Sequence, residues 1–138
     1  MSREHMLEEL KQGSQTLSGD ASDKVIIIRG CDPIMAERAG NFLPPMIGNA
    51  KLVSCTDDKT FFPLLQQTKY DVVMFAPGAC RWSAAKKPIP GGNATSEGWG
   101  LEQYHELVRE YQGADACIVG TANEKEVVPM LRKALALD

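Results

Sequence analysis

The first ten residues, MSREHMLEEL, contain nothing like the apolar stretch of a secretory leader. Apolar runs such as Val25 to Ile28 stop far short of the roughly 20 residues that cross a bilayer. Export and membrane insertion are not expected, and a cytoplasmic protein is. Cysteine is scarce and poorly spaced for chelation: Cys31, Cys55, Cys80 and Cys117 form no CxxC pair, and His5 and His105 lie far from them. No metal site is expected, and reduced thiols are. Positive charge is not in excess either. A net charge of -3 offers no footprint for a phosphate backbone, so no nucleic-acid partner is expected. The sequon Asn93-Ala94-Thr95 carries little weight without a leader.

What is present suits one domain. The chain has 138 residues, 43% of them hydrophobic, enough for a core of its own. Residues 1–23 read as a flexible polar arm, with a short helix over Glu4 to Gln12 followed by a Gly/Ser/Asp linker, and residues 24–138 as the domain. KVIIIRG predicts a strand buried on both faces, because its β-branched residues are continuous rather than alternating. Asp32 then suits a helix cap and Pro33 the first helical position, with the helix ending near Leu43 before Pro44-Pro45.

KLVSCT predicts a second strand and Thr56 to Lys69 a second helix. Asp57, Asp58 and Thr60 are candidate caps, and Thr60 is favoured because it leaves Pro63 in the first turn. YDVVMFAPG is a third strand. LEQYHELVREYQG is an amphipathic helix with Leu101, Tyr104, Leu107, Val108 and Tyr111 on one face, His105 at its margin, and Gly113 as its stop. ADACIVGTA is a fourth strand with Cys117 in the core. Asn123 and Glu126 resemble a capping box opening the last helix, which Pro129 is expected to kink.

Alternation of this kind predicts a three-layer α/β/α flavodoxin-like domain with a four-stranded parallel sheet, strand order 2-1-3-4. Ligands bind such sheets outside the carboxyl ends of the strands, at the switch point between the first and third. From the third strand issues the segment that fits neither helical nor strand period, CRWSAAKKPIPGGNATSEGWG, part of a long loop over residues 79–100. A loop of that length in a compact domain is usually a lid, a binding loop or an insert.

The candidate ligand-binding residues at this edge are Cys31, Asp32, Gly78, Cys80, Arg81, Trp82, Lys86 and Trp99. Arg81, Lys86 and Lys87 would hold an anion, although Asp32 stands where one would sit and no Gly-rich phosphate loop follows the first strand. Trp82 and Trp99 are large for a solvated loop, so each should stack on a ligand, pack on the body or enter a subunit contact. Cys31 or Cys80 would be the nucleophile of an enzyme, but six residues separate Cys31 from Arg38 where a cysteine phosphatase needs five. Asp57-Asp58 read as caps.

From Lys24 to Gly78 the chain resembles bacterial response-regulator receiver domains. KVIIIRGCDPIMAE is similar to their first strand and acidic turn, KYDVVMFAPGA to the strand bearing the phosphoacceptor, and Thr121-Ala122 to their switch hydroxyl and the small residue after it. The resemblance implies the fold. It does not imply aspartyl phosphotransfer, since Ala76-Pro77 stands where the phosphoacceptor would be and the fifth strand with its lysine is missing. Cysteine-phosphorylated subunits of bacterial sugar phosphotransferase systems also carry a Cys after the first strand, as Cys31 would be, but DPIMAERAG does not match their phosphate loop. The expected function is a non-catalytic binding domain that recognises a protein partner or small ligand through the 79–100 loop and the carboxyl edge, self-association included. The alternative is a small cysteine-dependent or phosphoryl-transfer enzyme using Cys31 or Cys80. No cofactor is identified, and a flavin would follow from fold analogy alone.

Overall fold

A computed structural model of the chain describes residues 19–76, 92–121 and 123–137. Strands β1 (Val25–Arg29), β2 (Lys51–Cys55), β3 (Val72–Phe75) and β4 (Ile118–Gly120) form one all-parallel sheet in the order β2-β1-β3-β4. The helices between and after them are α1 (Pro33–Phe42), α2 (Asp58–Gln67), α3 (Leu101–Gln112) and α4 (Val127–Ala134), with 3-10 turns at Pro44–Met46 and Glu124–Glu126. This is the flavodoxin-like α/β/α arrangement expected from the alternation.

The continuous apolar run of β1 follows from its place in that sandwich, because successive side chains point to opposite faces and both faces are covered. Ile26 and Ile28, with Val72 and Met74 of β3, pack against Leu43, Ile47, Val127 and Leu131 in the layer of α1 and α4. Ile27, with Val73 and Phe75, packs against Phe61, Leu65, Tyr104 and Val108 in the layer of α2 and α3. The same parity sends Arg29, two residues beyond Ile27, into the α2/α3 layer.

Polar side chains tie the elements where backbone groups would otherwise be left open. Gln112, at the end of α3, donates from Nε2 to the carbonyls of Leu65 and Thr68 at 2.7 Å each and accepts the Tyr70 N–H at 2.9 Å. Two orphan carbonyls at the end of α2 are thereby satisfied. Arg132 of α4 donates to the Met46 carbonyl at 3.0 Å. At the amino edge, Ala21 is buried and its N–H bonds the Gly48 carbonyl at 2.7 Å. Gly48 has φ +67°, and a Cβ there would stand 2.6 Å from the Ala21 nitrogen, so both conformation and space require glycine.

Several local expectations are corrected. Asp57, not Thr60, caps α2: its carboxylate accepts the Thr60 N–H at 2.8 Å, and a start at Asp58 aligns Asp58, Phe61, Phe62 and Leu65 on the buried face. Pro63 therefore lies inside the helix rather than in its first turn. It is exposed, so the carbonyl that loses its partner is on the side open to water. Pro129 produces no interior break, because α4 starts only at Val127 and the proline falls in its first turn. Asn123 caps the 3-10 turn that precedes α4, donor Lys125 N–H at 3.0 Å, rather than α4 itself. Cys117 is exposed, not core: it precedes the short edge strand β4 instead of lying within it.

Helix α4 ends in paired bonds from Ala136 N–H to the Lys133 carbonyl (3.1 Å) and from Leu137 N–H to the Arg132 carbonyl (2.8 Å), with Ala136 at φ +59°. This is a Schellman ending whose left-handed position holds alanine where glycine is preferred. Replacing Ala136 with glycine is expected to stabilise the domain by about 1 kcal/mol, since the Cβ penalty of that conformation outweighs the added chain entropy. A urea midpoint that stays unchanged or falls would contradict this assignment.

Candidate functional site at the carboxyl edge of the sheet

Arg29 closes β1 and is fully buried, as is Asp58 at the first position of α2. Their pairing joins the carboxyl ends of β1 and β2: Arg29 Nε donates to Asp58 Oδ1 at 2.9 Å, and Arg29 Nη1 donates to the Gly30 carbonyl. The other carboxylate oxygen, Oδ2, accepts the Ser96 hydroxyl at 2.6 Å and the Tyr104 hydroxyl at 2.5 Å. Charge-assisted bonds to both oxygens are what make a buried carboxylate tolerable. The cluster thus gathers β1, α2, α3 and the 92–100 segment at one point.

Aromatic rings enclose it. Phe75, at the end of β3, meets Tyr104 edge-on at 5.9 Å and His105 at 5.3 Å. Trp99 is half-buried, stacked at 5.4 Å edge-to-face on Tyr104 and 5.9 Å from Phe62. Burial, with the nearby Arg109 charge adding to it, holds His105 below the usual imidazole range. Cys55, opposite Arg29 in the ladder, has its thiol pushed up to about 11 by burial; the Arg29 charge opposes that rise and the Asp57 charge adds to it.

The N-termini of α1 and α2 at this edge are filled by the chain's own carboxylates. Asp32 caps α1, accepting the Ile34 N–H at 3.0 Å and the Met35 N–H at 3.5 Å. Asp57 caps α2, and hydrogen bonds from Thr60, its side chain first and then its N–H, hold the Asp57 carboxyl below the ordinary range. Gln103 Oε1 accepts the Gly100 N–H before α3 at 2.9 Å. At the end of β4 the Thr121 hydroxyl donates to Glu126 Oε2 at 2.6 Å and accepts the Asn123 N–H.

Of the residues singled out in the sequence, Cys31, Asp32 and Trp99 stand at this edge. Cys31 is half-buried and its thiol is free, directly beside the Asp32 cap. Gly78, Cys80, Arg81, Trp82 and Lys86 lie outside the described residues, as does any relation between Cys31 and Cys80. The sequence reading missed Arg29, Ser96 and Tyr104 as a set and treated Asp58 as a second cap. Arg29 carried the available signal: a charged residue terminating VIIIR on the same strand face as Ile27. Among the described residues no group of three His, Cys, Asp or Glu side chains is placed to hold a metal ion, and no helix is long and apolar enough to cross a membrane.

Chemically, the cluster is a pin rather than a reactive constellation. The Ser96 proton goes directly to Asp58, and both carboxylate oxygens are engaged by protein donors. Comparison with protein-family models, with curated proteins and with solved structures returns no match for this chain.

Two measurements probe this geometry. Asp58→Ala is expected to cost about 3–5 kcal/mol because it breaks a buried ion pair by removing the carboxylate, whereas Asp57→Ala removes a cap and should cost about 1 kcal/mol. Equal losses in urea unfolding would reject the separate roles. For Cys55 the folded pKa lies above the unfolded one, so its contribution is complete below the unfolded value and is lost as pH rises toward 11. At pH 8 the native protein should therefore show Cys117 alkylated and Cys55 protected; rapid native labelling of Cys55 would contradict its burial.

Proposed function

We propose that the chain is a non-catalytic binding domain that recognises a protein partner or small ligand through the carboxyl edge of its sheet together with the 79–100 segment. The observation that carries this reading is the anchoring of residues 92–100 by Ser96 and Trp99 at the carboxyl edge of the sheet, the edge at which this fold keeps its ligands. Further support comes from Ile34, the one exposed large hydrophobic side chain among the described residues at 44%, in the first turn of α1 on the same edge. None of the ten residues of α1 is fully buried, so this helix retains surface for a partner. A second copy of the chain is the partner that the apolar surface and the two tryptophans favour. The free thiols of Cys31, Cys55 and Cys117 accord with a reducing, cytoplasmic setting.

The charges at the edge work against a thiol nucleophile at Cys31. Asp32 places a carboxylate on the N–H groups of α1 that would otherwise stabilise a thiolate. Enzyme chemistry at Cys31 or Cys80 is the reading that the test must be able to recover.

Native mass spectrometry of gently purified protein is expected to reveal a multimer or a reproducible bound mass. That species should survive Cys31→Ser and Cys80→Ser and weaken about tenfold or more with Ile34→Glu or Trp82→Ala, the scale of a contact residue at the centre of an interface. Fast, selective alkylation of Cys31 or Cys80 near neutral pH, with the species lost in the serine variant, would overturn the binding reading in favour of a thiol enzyme. A monomer without added mass, unchanged by Ile34→Glu, would also reject it.

A further inference from the structure

Residues 92–98 are exposed on the surface with one exception, Ser96, which is 5% exposed. Their turn is organised internally: Asn93 Oδ1 accepts the Thr95 and Ser96 N–H groups at 2.9 and 3.1 Å, and Ser96 Oγ accepts the Asn93 N–H at 3.0 Å. Next along the chain, the Trp99 N–H bonds the Ser96 carbonyl at 3.0 Å. The turn is therefore a preformed unit, and among the described residues what fastens it to the body is the Ser96 hydroxyl on Asp58 Oδ2, backed by the Trp99 ring on Tyr104 and Phe62.

We infer that Ser96 is a releasable latch, and that the strap 92–99 undocks from the carboxyl edge as a unit while the sheet and helices stay folded. The basis is an asymmetry within the cluster. Removing the Ser96 hydroxyl leaves Asp58 with its Arg29 and Tyr104 bonds, so no buried charge is stranded. Removing Asp58 takes the carboxylate from Arg29 and the shared acceptor from Tyr104 and Ser96 together. One partner of the carboxylate can thus be withdrawn at local cost, whereas withdrawing the carboxylate itself is global. Release uncovers Asp58 Oδ2 at the edge, so any partner contacting that edge is energetically linked to the latch. The inference stands apart from the identity of such a partner.

The test uses the whole chain and reads the strap and the body separately. Ser96→Ala is expected to accelerate cleavage after exposed Glu97 by a glutamate-specific protease by about tenfold or more, the scale of one lost charge-assisted hydrogen bond. Exchange of core amides in β1, β3 and α3 should be unchanged, and Ser96→Thr, which keeps a hydroxyl, should restore slow cleavage. Unchanged cleavage at the strap in Ser96→Ala would overturn the latch. So would a parallel rise in core exchange, which would make Ser96 a component of global stability instead.

Discussion

The buried pair of Arg29 and Asp58 is the constraint on which the carboxyl edge depends. Taking a guanidinium and a carboxylate out of water is costly, and their attraction compensates only when geometry is good and the remaining donors and acceptors are met. Here the carboxylate receives Arg29 on one oxygen and two hydroxyls on the other. The three partners come from positions 29, 96 and 104, so one side chain of α2 fixes the last residue of β1, the strap and the start of α3 relative to each other. Buried ion pairs are weak as net stabilisers and effective as registers, because any slip of one element leaves a charge uncompensated.

The two layers of the sandwich divide the work accordingly. The layer of α1 and α4 is aliphatic and methionine-rich, and α1 lies over it without a single fully buried residue. The layer of α2 and α3 contains most of the aromatic side chains of the core and the polar pin, and Gln112 closes it at the opposite end by bonding Leu65, Thr68 and Tyr70. Helix α3 is thus fastened at both ends by a side-chain hydrogen bond, Tyr104 at one and Gln112 at the other. That rigidity under the strap, with little buried surface in the strap itself, is what separates local release from global unfolding.

The sheet was legible because its signal is redundant. The central strands are apolar throughout except for Arg29 at the end of β1, the connections are too long for hairpins, and right-handed crossovers leave few strand orders. The helix Leu101–Gln112 was legible from its apolar stripe and terminal glycine. Local choices between neighbours were not. Asp57 and Asp58 are both good first-turn residues, and which one caps depends on Arg29, 29 residues away from Asp58 in the chain. Pro63 pointed to a later start because its cost was weighed without the burial of Phe61 and Phe62 that the earlier start achieves. Cys117 read as core because ADACIVGTA looks like a longer strand than the three residues that pair with β3. Ser96 gave no sign at all: in NATSEGWG it is one small polar residue among several, and only the fold brings it to a buried carboxylate.

The way the chain fills its own edge also limits what the proposed binding function can take. In this class of fold, helix N-termini at the carboxyl edge are natural sites for anions. The first two here carry Asp32 and Asp57, and the N–H before α3 is taken by Gln103. A phosphate or carboxylate ligand would have to displace a carboxylate already bonded there and approach a second one nearby. Among the described residues the arginine that reaches the cluster, Arg29, is buried and paired with Asp58. What the described edge offers to solvent is instead Ile34 and a partly exposed tryptophan, suited to apolar contact, beside the polar turn 92–98. On the reading proposed here, recognition is therefore driven by shape and apolar burial, with charge excluding anions more than attracting a partner.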